Sequence, residues 1–316
     1  MSMNGKEVTI PQGPLIIAKV GSNAIAATLD DGSQGVDSAR VADLARGVAA
    51  ARKKGYRVIV VTSGAVAAGM HQLGMAIRPG IDESNMLSAL SAIGQAQLMQ
   101  EYSQQFALLG MKVAQALPTL DNFHQTVVRD HMLETIKGIL ENDCVPVVNE
   151  NDFTSYSEMR FGDNDIIAVL VGILCGAEHL VLFTVENGIM SANPRHNPNA
   201  KLVEEIGELV PEMFDDAQEN SAAGSGGVNS KLFAGDLGRY SGIQTAVTHV
   251  DCAPDLVSIV EGRTQCSRFY PENKESMPIE FAWDIVLGRI QRDDPFFTVA
   301  GYLNKIESFG SIERNQ

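Results

Sequence analysis

The sequence predicts an α/β fold with a mainly parallel sheet. Short runs of β-branched and other apolar residues alternate along the chain with longer segments that have helical periodicity. The short runs, such as Leu15–Val20 and Val58–Thr62, are apolar at almost every position, which is typical of strands covered by helices on both faces. Such sheets bind ligands at the carboxyl ends of their strands, so the residues that follow each strand are the first candidates for a site.

The predicted elements run in order from residue 15 to residue 248. The predicted strands are Leu15–Val20, Val58–Thr62, Lys112–Ala116, Val145–Asn149, His179–Thr184 and Gln244–Thr248. The predicted helices cover residues 37–54, 84–109, 124–142, 164–176 and 229–241. The composition changes after residue 271, which predicts one domain of residues 1–271 and a short C-terminal extension of residues 272–316.

Composition excludes several classes of protein. A formal net charge of −15 disfavours nucleic acid and anionic membranes as partners. The longest apolar stretch, Ile166–Ala177, is too short to span a bilayer and predicts a buried helix. The 4 cysteines form no CxxC pair or zinc-type spacing, and no metal-ligating residues are predicted. With no signal peptide at the N-terminus, a reducing, cytoplasmic location is expected.

Two lysines stand next to glycine-rich turns. Lys19 lies near the end of the first predicted strand, just before Gly21 and Ser22, where a lysine can contact a phosphoryl oxygen. Lys231 closes the run GSGGVNSK, whose glycines precede a predicted helix and can cradle an anion with backbone N–H groups. This run is neither a Walker A loop nor a dinucleotide fingerprint. A solvated lysine and a plain loop are the alternatives.

The stretch VTSGAVAAGM, residues 61–70, raises a different question. A buried strand ends in Ser63 and is followed by Gly64, Ala65 and further small residues. Small side chains allow a close backbone approach, either to a ligand or to another helix. Both interpretations remain open at this point.

Two clusters of Asn and Asp lie between the fourth predicted strand and the apolar helix. Asn149-Glu150-Asn151-Asp152 follows the strand, and Gly162-Asp163-Asn164-Asp165 precedes the helix. These residue types are suited to binding an amino group or to orienting lysines. Asp163 and Asn164 are also good helix N-caps, so capping is the alternative interpretation.

The motifs together are more specific than any one of them. Lys-x-Gly-Ser, VTSGAVAAG, VNEND, FGDND, Asn193-Pro194-Arg195 and GSGGxxSK occur in an order that closely resembles the amino acid kinase family, and within it the glutamate 5-kinases. The resemblance covers about residues 14–271. It implies a three-layer αβα sandwich that transfers the γ-phosphoryl group of ATP, with Mg²⁺, to the γ-carboxylate of L-glutamate in the first step of proline biosynthesis.

The resemblance also implies a role for each motif. Lys19 and Lys231 contact the phosphoryl group, and Asp165 holds both lysines. The implied glutamate-binding residues are Ser63, Gly64, Ala65, Asp152 and Asn164. The implied nucleotide-binding residues are Lys19, Gly21, Ser22, Thr184, Val185, Ser225, Gly226, Gly227 and Lys231. No catalytic base is needed, because a glutamate side chain with a pKa near ~4.3 is already ionised at neutral pH.

The implied partners follow from that chemistry. The acyl phosphate product passes to a γ-glutamyl phosphate reductase, and proline inhibits the enzyme through residues 153–161 after VNEND. A homo-oligomer is expected, with Trp283 and Phe296-Phe297 of the extension as candidate contacts. The extension is too short for the PUA domain that many such kinases carry.

The sequence departs from the family pattern on the nucleotide side, at Val185, Met190 and Asn193. These changes bear on nucleotide preference. They leave two alternatives open: a related kinase that phosphorylates a different carboxylate, and a non-catalytic regulator that binds glutamate or proline.

Overall fold

The computed structural model describes residues 13–29, 32–80, 82–155, 164–192, 197, 199–209, 213, 227–272, 276–292 and 297–303. Its strands are β1 (Leu15–Val20), β2 (Ala26–Thr28), β3 (Gln34–Val36), β4 (Arg57–Thr62), β5 (Lys112–Ala116), β6 (Cys144–Val148), β7 (His179–Thr184), β8 (Glu205–Ile206), β9 (Gln244–His249) and β10 (Ser267–Phe269). Its α-helices are α1 (Ser22–Ile25), α2 (Ser38–Lys53), α3 (Ala65–Gln72), α4 (Ser84–Ala107), α5 (Thr126–Glu141), α6 (Asn164–Cys175), α7 (Val228–Tyr240), α8 (Leu256–Val260) and α9 (Ile279–Arg292). Short 3₁₀ helices cover Leu120–Phe123 and Val250–Asp255.

The centre of the fold is an eight-stranded sheet in the order β5-β6-β4-β1-β7-β9-β10-β8. Neighbouring strands are parallel, except that β10 runs antiparallel to β9. β2 and β3 form a separate antiparallel hairpin. The mainly parallel sheet predicted from the alternation of elements is therefore confirmed, and its carboxyl-terminal edge collects the ends of β1, β4, β6 and β7.

Two hydrophobic cores lie on opposite faces of this sheet, because successive residues of a strand point to opposite sides. Leu15 and Ile17 of β1 belong to the core under α5, α6, α7 and α9. Ile16 and Ala18 belong to the core under α2, α4 and α8. The molecule is thus a three-layer αβα sandwich, as expected.

Helix α6 is the most apolar element of the fold. Its residues Ile166–Ile173 are all buried, which agrees with the buried helix predicted for this stretch. Within the described residues, no helix combines the length and the apolar character that crossing a bilayer requires. All four cysteines are described, and all are free thiols.

The small residues of VTSGAVAAGM end strand β4 and also allow close helix packing. Gly64 has φ 108°, a left-handed conformation that glycine adopts without strain. A Cβ at Gly69 would overlap the Leu90 carbonyl, and a Cβ at Gly94 would overlap the Ala65 carbonyl. Helices α3 and α4 therefore pack backbone to backbone, so one of the two interpretations of this stretch, close helix packing, is confirmed.

The C-terminal segment packs against the same core. Trp283 is 3% exposed and its ring stacks on His124, with ring centroids 5.7 Å apart. Phe297 is 5% exposed and packs edge-on against Phe233 of α7. The expectation that these two residues form contacts between subunits is therefore wrong, because their own chain already buries them. Phe296 lies outside the described residues.

Asp236 of α7 connects this segment to the domain. Its Oδ2 accepts a hydrogen bond of 2.9 Å from the Val299 N–H. Burial raises the pKa of Asp236 to about 6, although the Val299 N–H and Arg239 oppose the shift. The folded chain therefore favours the protonated acid, and this group costs stability as the pH rises from about 4 to about 6.

We expect Asp236→Asn to raise the free energy of unfolding at pH 7.5. Asn keeps an oxygen for the Val299 N–H and needs no ionisation inside the protein. A shift of about two pKa units corresponds to a gain on the order of 2–3 kcal/mol. Urea unfolding at pH 4 and pH 7.5 measures it: the gain should be small at pH 4 and largest at pH 7.5. An equal gain at both values would contradict this account.

Candidate active site

A buried ion triad lies at the carboxyl end of β1. Lys19 has the same strand parity as Leu15 and Ile17, so its side chain emerges on the face covered by α6 and α7. There its ammonium group pairs with Asp165 Oδ1, and the Lys231 ammonium lies 3.1 Å from Asp165 Oδ2. The three residues are 1%, 0% and 6% exposed. The structure thus brings together the three predicted catalytic residues.

Ser230 is a fourth residue bonded to the triad, and it was not predicted. Its hydroxyl lies 2.8 Å from Asp165 Oδ2 and 2.9 Å from the Gly227 carbonyl oxygen. Ser230 therefore ties the first turn of α7 to the first turn of α6. The available signal was its position directly before Lys231 in the run GSGGVNSK.

Electrostatics keep Asp165 ionised. Burial by itself would raise the pKa of this carboxyl group, but Lys19, Lys231 and the hydrogen bonds of Lys19 and Ser230 outweigh burial and hold the pKa well below its usual range. Asp165 is therefore suited to holding two lysines in place, and it is unsuited to donating or accepting a proton near neutral pH.

A second polar cluster lies beside the triad and is centred on Asn164. The Asn164 Nδ2 group lies 2.9 Å from the Thr62 carbonyl oxygen, 2.9 Å from Ser63 Oγ and 3.1 Å from Asn149 Oδ1. The Glu150 N–H donates to Asn164 Oδ1 at 3.3 Å. Asn164 thus joins the ends of β4 and β6, and it contacts the predicted residue Ser63, which lies two residues before the start of α3.

Asp152 lies on the loop after β6 and is oriented from α4. The Ser91 hydroxyl donates to Asp152 Oδ2 at 2.6 Å. Burial lowers the pKa of Arg78, and the negative charge of Asp152 opposes that shift, so the two charges act on one another. An arginine remains protonated in proteins, so Arg78 adds a positive charge on this side. Arg78 follows α3 in an irregular connection, and no motif pointed to it.

The predicted nucleotide-side residues lie at the ends of β1 and β7 and at the start of α7. A Cβ at Gly21 would lie 3.4 Å from the Lys19 ammonium, so glycine leaves room beside that charge. Thr184 ends β7 opposite His249, and Val185 follows it with 43% exposure. Gly227 is the N-cap of α7, a position at which the backbone N–H groups of the first turn can bind an anion.

Some predicted residues lie outside the described part of the chain. They are Gly224, Ser225 and Gly226 of the glycine-rich run, residues 156–161 of the segment predicted to mediate proline inhibition, Gly162 and Asp163 before α6, and Asn193, Pro194 and Arg195. Ser22 is described in the first turn of α1, next to Gly21.

Comparison with known proteins identifies the family to which this chain is similar. The model of the amino acid kinase family matches residues 14–235. Glutamate 5-kinase from Vibrio vulnificus (strain YJ016) is 36% identical over 277 residues, which cover 86% of this chain and 70% of that protein. Glutamate 5-kinase 1 from Bacillus subtilis (strain 168) is 35% identical over 249 residues, which cover 78% of this chain and 67% of that protein.

Comparison with solved structures agrees with the αβα fold. A solved structure of carbamate kinase from Giardia lamblia bound to AMP-PNP matches with a TM-score of 0.58 at 16% identity, covering 83% of this chain and all of the other. At this identity the match shows the fold alone. The family model and the two relatives confirm the resemblance predicted from the motifs: this chain belongs to the amino acid kinase family.

Proposed function

We propose that this chain transfers the γ-phosphoryl group of ATP to the γ-carboxylate of L-glutamate and forms γ-glutamyl phosphate. One observation carries the proposal. Adjacent residues in the first turn of α6 serve two clusters: Asp165 binds Lys19 and Lys231, and Asn164 binds Ser63 and Asn149. A site for a phosphoryl group and a site for its acceptor thus share one helix end. The relatives named glutamate 5-kinase support the choice of acceptor.

The proposed mechanism needs no general base. The acceptor carboxylate is ionised near neutral pH and is itself the nucleophile. The protein must bring two anions together and hold them in line. Lys19 and Lys231, fixed by Asp165, stabilise the charge on the phosphoryl group as it moves between the two oxygens. Ser63, Gly64, Ala65, Asp152 and Asn164 bind and orient glutamate.

The nucleotide would contact the edge that includes Gly21, Ser22, Thr184, Val185 and Gly227. Ser225 and Gly226, which lie outside the described residues, are proposed to bind it as well. Both Asp165 oxygens already have cationic or hydroxyl partners, and the described residues contain no group of three His, Cys, Asp or Glu side chains suited to a metal. Mg²⁺ would enter this site with the nucleotide and would supply charge neutralisation for its phosphates. Lys19 and Lys231 would bind the same phosphates from the protein side.

The proposal extends to location, assembly and partners. We propose a cytoplasmic homo-oligomer that hands its unstable product to a γ-glutamyl phosphate reductase and is inhibited by proline through residues 153–161. The division into a domain of residues 1–271 and an extension of residues 272–316 stays a prediction. A different carboxylate acceptor is not favoured, because the relatives are named glutamate 5-kinase. A non-catalytic regulator is not favoured, because the lysine triad suited to a phosphoryl group is present.

The test is capture of the acyl phosphate by hydroxylamine. We expect wild-type protein with L-glutamate, ATP and Mg²⁺ to form γ-glutamyl hydroxamate. Asn164→Ala should raise the KM for glutamate at least about tenfold, because a hydrogen-bonding side chain of the acceptor site is lost. The KM for ATP should change little.

Asn142→Ala is the matched control for this variant. Asn142 is an exposed residue at the C-terminal end of α5, and its substitution should leave both KM values unchanged. If correctly folded wild-type protein formed no hydroxamate, the proposed function would be rejected. Hydroxamate formation with an unchanged glutamate KM in Asn164→Ala would reject the role of Asn164.

A further inference from the structure

Helix α4 presents a row of polar side chains toward the acceptor cluster. Ser91, Gln95 and Tyr102 are separated by 4 and 7 residues, a spacing that places all three on one face of a helix. The hydrophobic residues Leu98 and Phe106 of the same helix belong to the core under this face. Polar groups in such a position are costly unless each has a hydrogen-bond partner.

Each of the three side chains forms one hydrogen bond at the carboxyl edge of the sheet, and the buried Gln95 Nε2 group has no partner among the described residues. The Ser91 hydroxyl donates to Asp152 at 2.6 Å. The Gln95 Oε1 atom accepts from Asn149 Nδ2 at 2.8 Å. The Tyr102 hydroxyl donates to Thr62 Oγ1 at 2.7 Å. One helix therefore bonds to the loop after β6, to the residue that follows β6, and to the end of β4.

The partners lead directly to the acceptor cluster. Asn149 Oδ1 and the Thr62 carbonyl oxygen both accept from Asn164 Nδ2. The Thr62 hydroxyl also donates to the Ser63 carbonyl at 2.8 Å, which fixes the peptide that carries Ser63. The bonds of α4 thus converge on Asn164, Ser63 and Asp152.

Helix α4 is itself held firmly. Gly94 lies between Ser91 and Gln95 on the side that meets α3, and its backbone touches the backbone of Ala65 and Gly69. Tyr102 is fully buried, and burial raises the pKa of its hydroxyl, so the group stays a neutral donor. A helix packed this closely against α3 is a suitable reference for the positions of the three acceptor elements.

We propose that Ser91, Gln95 and Tyr102 are positioning residues of the acceptor site, through which α4 sets the affinity for the amino acid substrate. The inference rests on the proposed function and deepens it. The three side chains act through Asp152, Asn149 and Thr62, on the acceptor side of α6. Their loss should therefore weaken glutamate binding and leave the nucleotide unaffected.

The test uses Ser91→Ala, Gln95→Met and Tyr102→Phe in the full chain, alone and combined. Each variant removes a hydrogen-bonding group and preserves most of the side-chain volume. We expect each to raise the KM and the dissociation constant for glutamate roughly 3–10-fold, and the triple variant at least about 30-fold. The KM for ATP should stay within about twofold.

Ser103→Ala and Gln100→Met are the matched controls, since both residues are exposed on the same helix. They should leave glutamate binding unchanged. Unchanged glutamate constants in all three test variants would overturn the proposal. So would a parallel rise of the glutamate and ATP constants with a lower urea midpoint, because that pattern marks general destabilisation.

Titration calorimetry with glutamate separates this inference from the proposed function. Wild-type protein that binds glutamate and forms no hydroxamate would overturn the proposed function only, and the dissociation constants of the variants would still decide the role of α4. Wild-type protein that does not bind glutamate would overturn both.

Discussion

The Asp165→Asn variant should keep less than about one hundredth of the wild-type turnover. Asp165 holds Lys19 and Lys231 on its two oxygens, and an amide cannot attract both ammonium groups as a carboxylate does. The two lysines would then repel one another and lose the positions from which they stabilise the phosphoryl group. The variant should also be less stable by about 3–5 kcal/mol, the cost of leaving buried charges without their partner.

Initial rates of hydroxamate formation and urea unfolding measure the two effects. Asp130→Asn is the matched control, because this side chain is 67% exposed and lies on α5, away from the triad. The control should match wild type in both measurements. Full turnover in Asp165→Asn would show that the lysines do not depend on this carboxylate.

The same substitution has a predicted pH dependence. The pKa of Asp165 in the folded chain lies below its ordinary value, so the unfolded chain takes up this proton first as the pH falls. The contribution of Asp165 to stability is then fully present above about pH 5 and is lost as the pH falls through about 4 toward the lower folded-state pKa. The stability difference between wild type and Asp165→Asn should shrink over that range.

The alternation of elements predicted the sheet well because its strands are buried on both faces. β1, β5 and β7 have the predicted bounds, and the other predicted strands and helices differ by one or two residues at their ends. The hairpin of β2 and β3 was not predicted, since each strand has three residues and little apolar character. The bounds of α9 were not predicted either, because nothing local in the sequence indicates that Trp283 is covered by His124, 159 residues earlier in the chain.

Some residues of the site could likewise be predicted from the sequence, and others could not. Residues within dense motifs, such as Lys19, Asn164 and Asp165, could be found because glycines and polar residues interrupt apolar runs at strand ends. Ser91, Gln95 and Tyr102 could not be found, because they lie in a long helix whose sequence is mixed throughout. Their role depends on which face of α4 meets the sheet, and that is decided by the contact of Gly69 and Gly94 with a neighbouring backbone.

Lys231→Met should lower turnover about 10²–10³-fold and change the KM for glutamate little. Lys231 approaches Asp165 from α7, on the side of the glycine-rich run, and it is 6% exposed. Methionine keeps an unbranched side chain one atom shorter than lysine, and it removes the charge together with the hydrogen-bond donors of the ammonium group. The loss should therefore appear in the step in which charge moves on the phosphoryl group, and acceptor binding through Ser63 and Asn164 should persist.

This variant should be distinguishable from Asp165→Asn by its stability. Without Lys231 the Asp165 carboxylate still has Lys19 and Ser230 as partners, so no buried charge is left alone. The urea midpoint should fall less than in Asp165→Asn, although the loss of turnover is similar. Lys137→Met, at an exposed position on α5, is the control for removing a lysine charge from the chain. A normal turnover with a raised glutamate KM would instead place Lys231 on the acceptor side. The assignment of Asn164 to the acceptor and of Asp165 to the phosphoryl group would then be wrong.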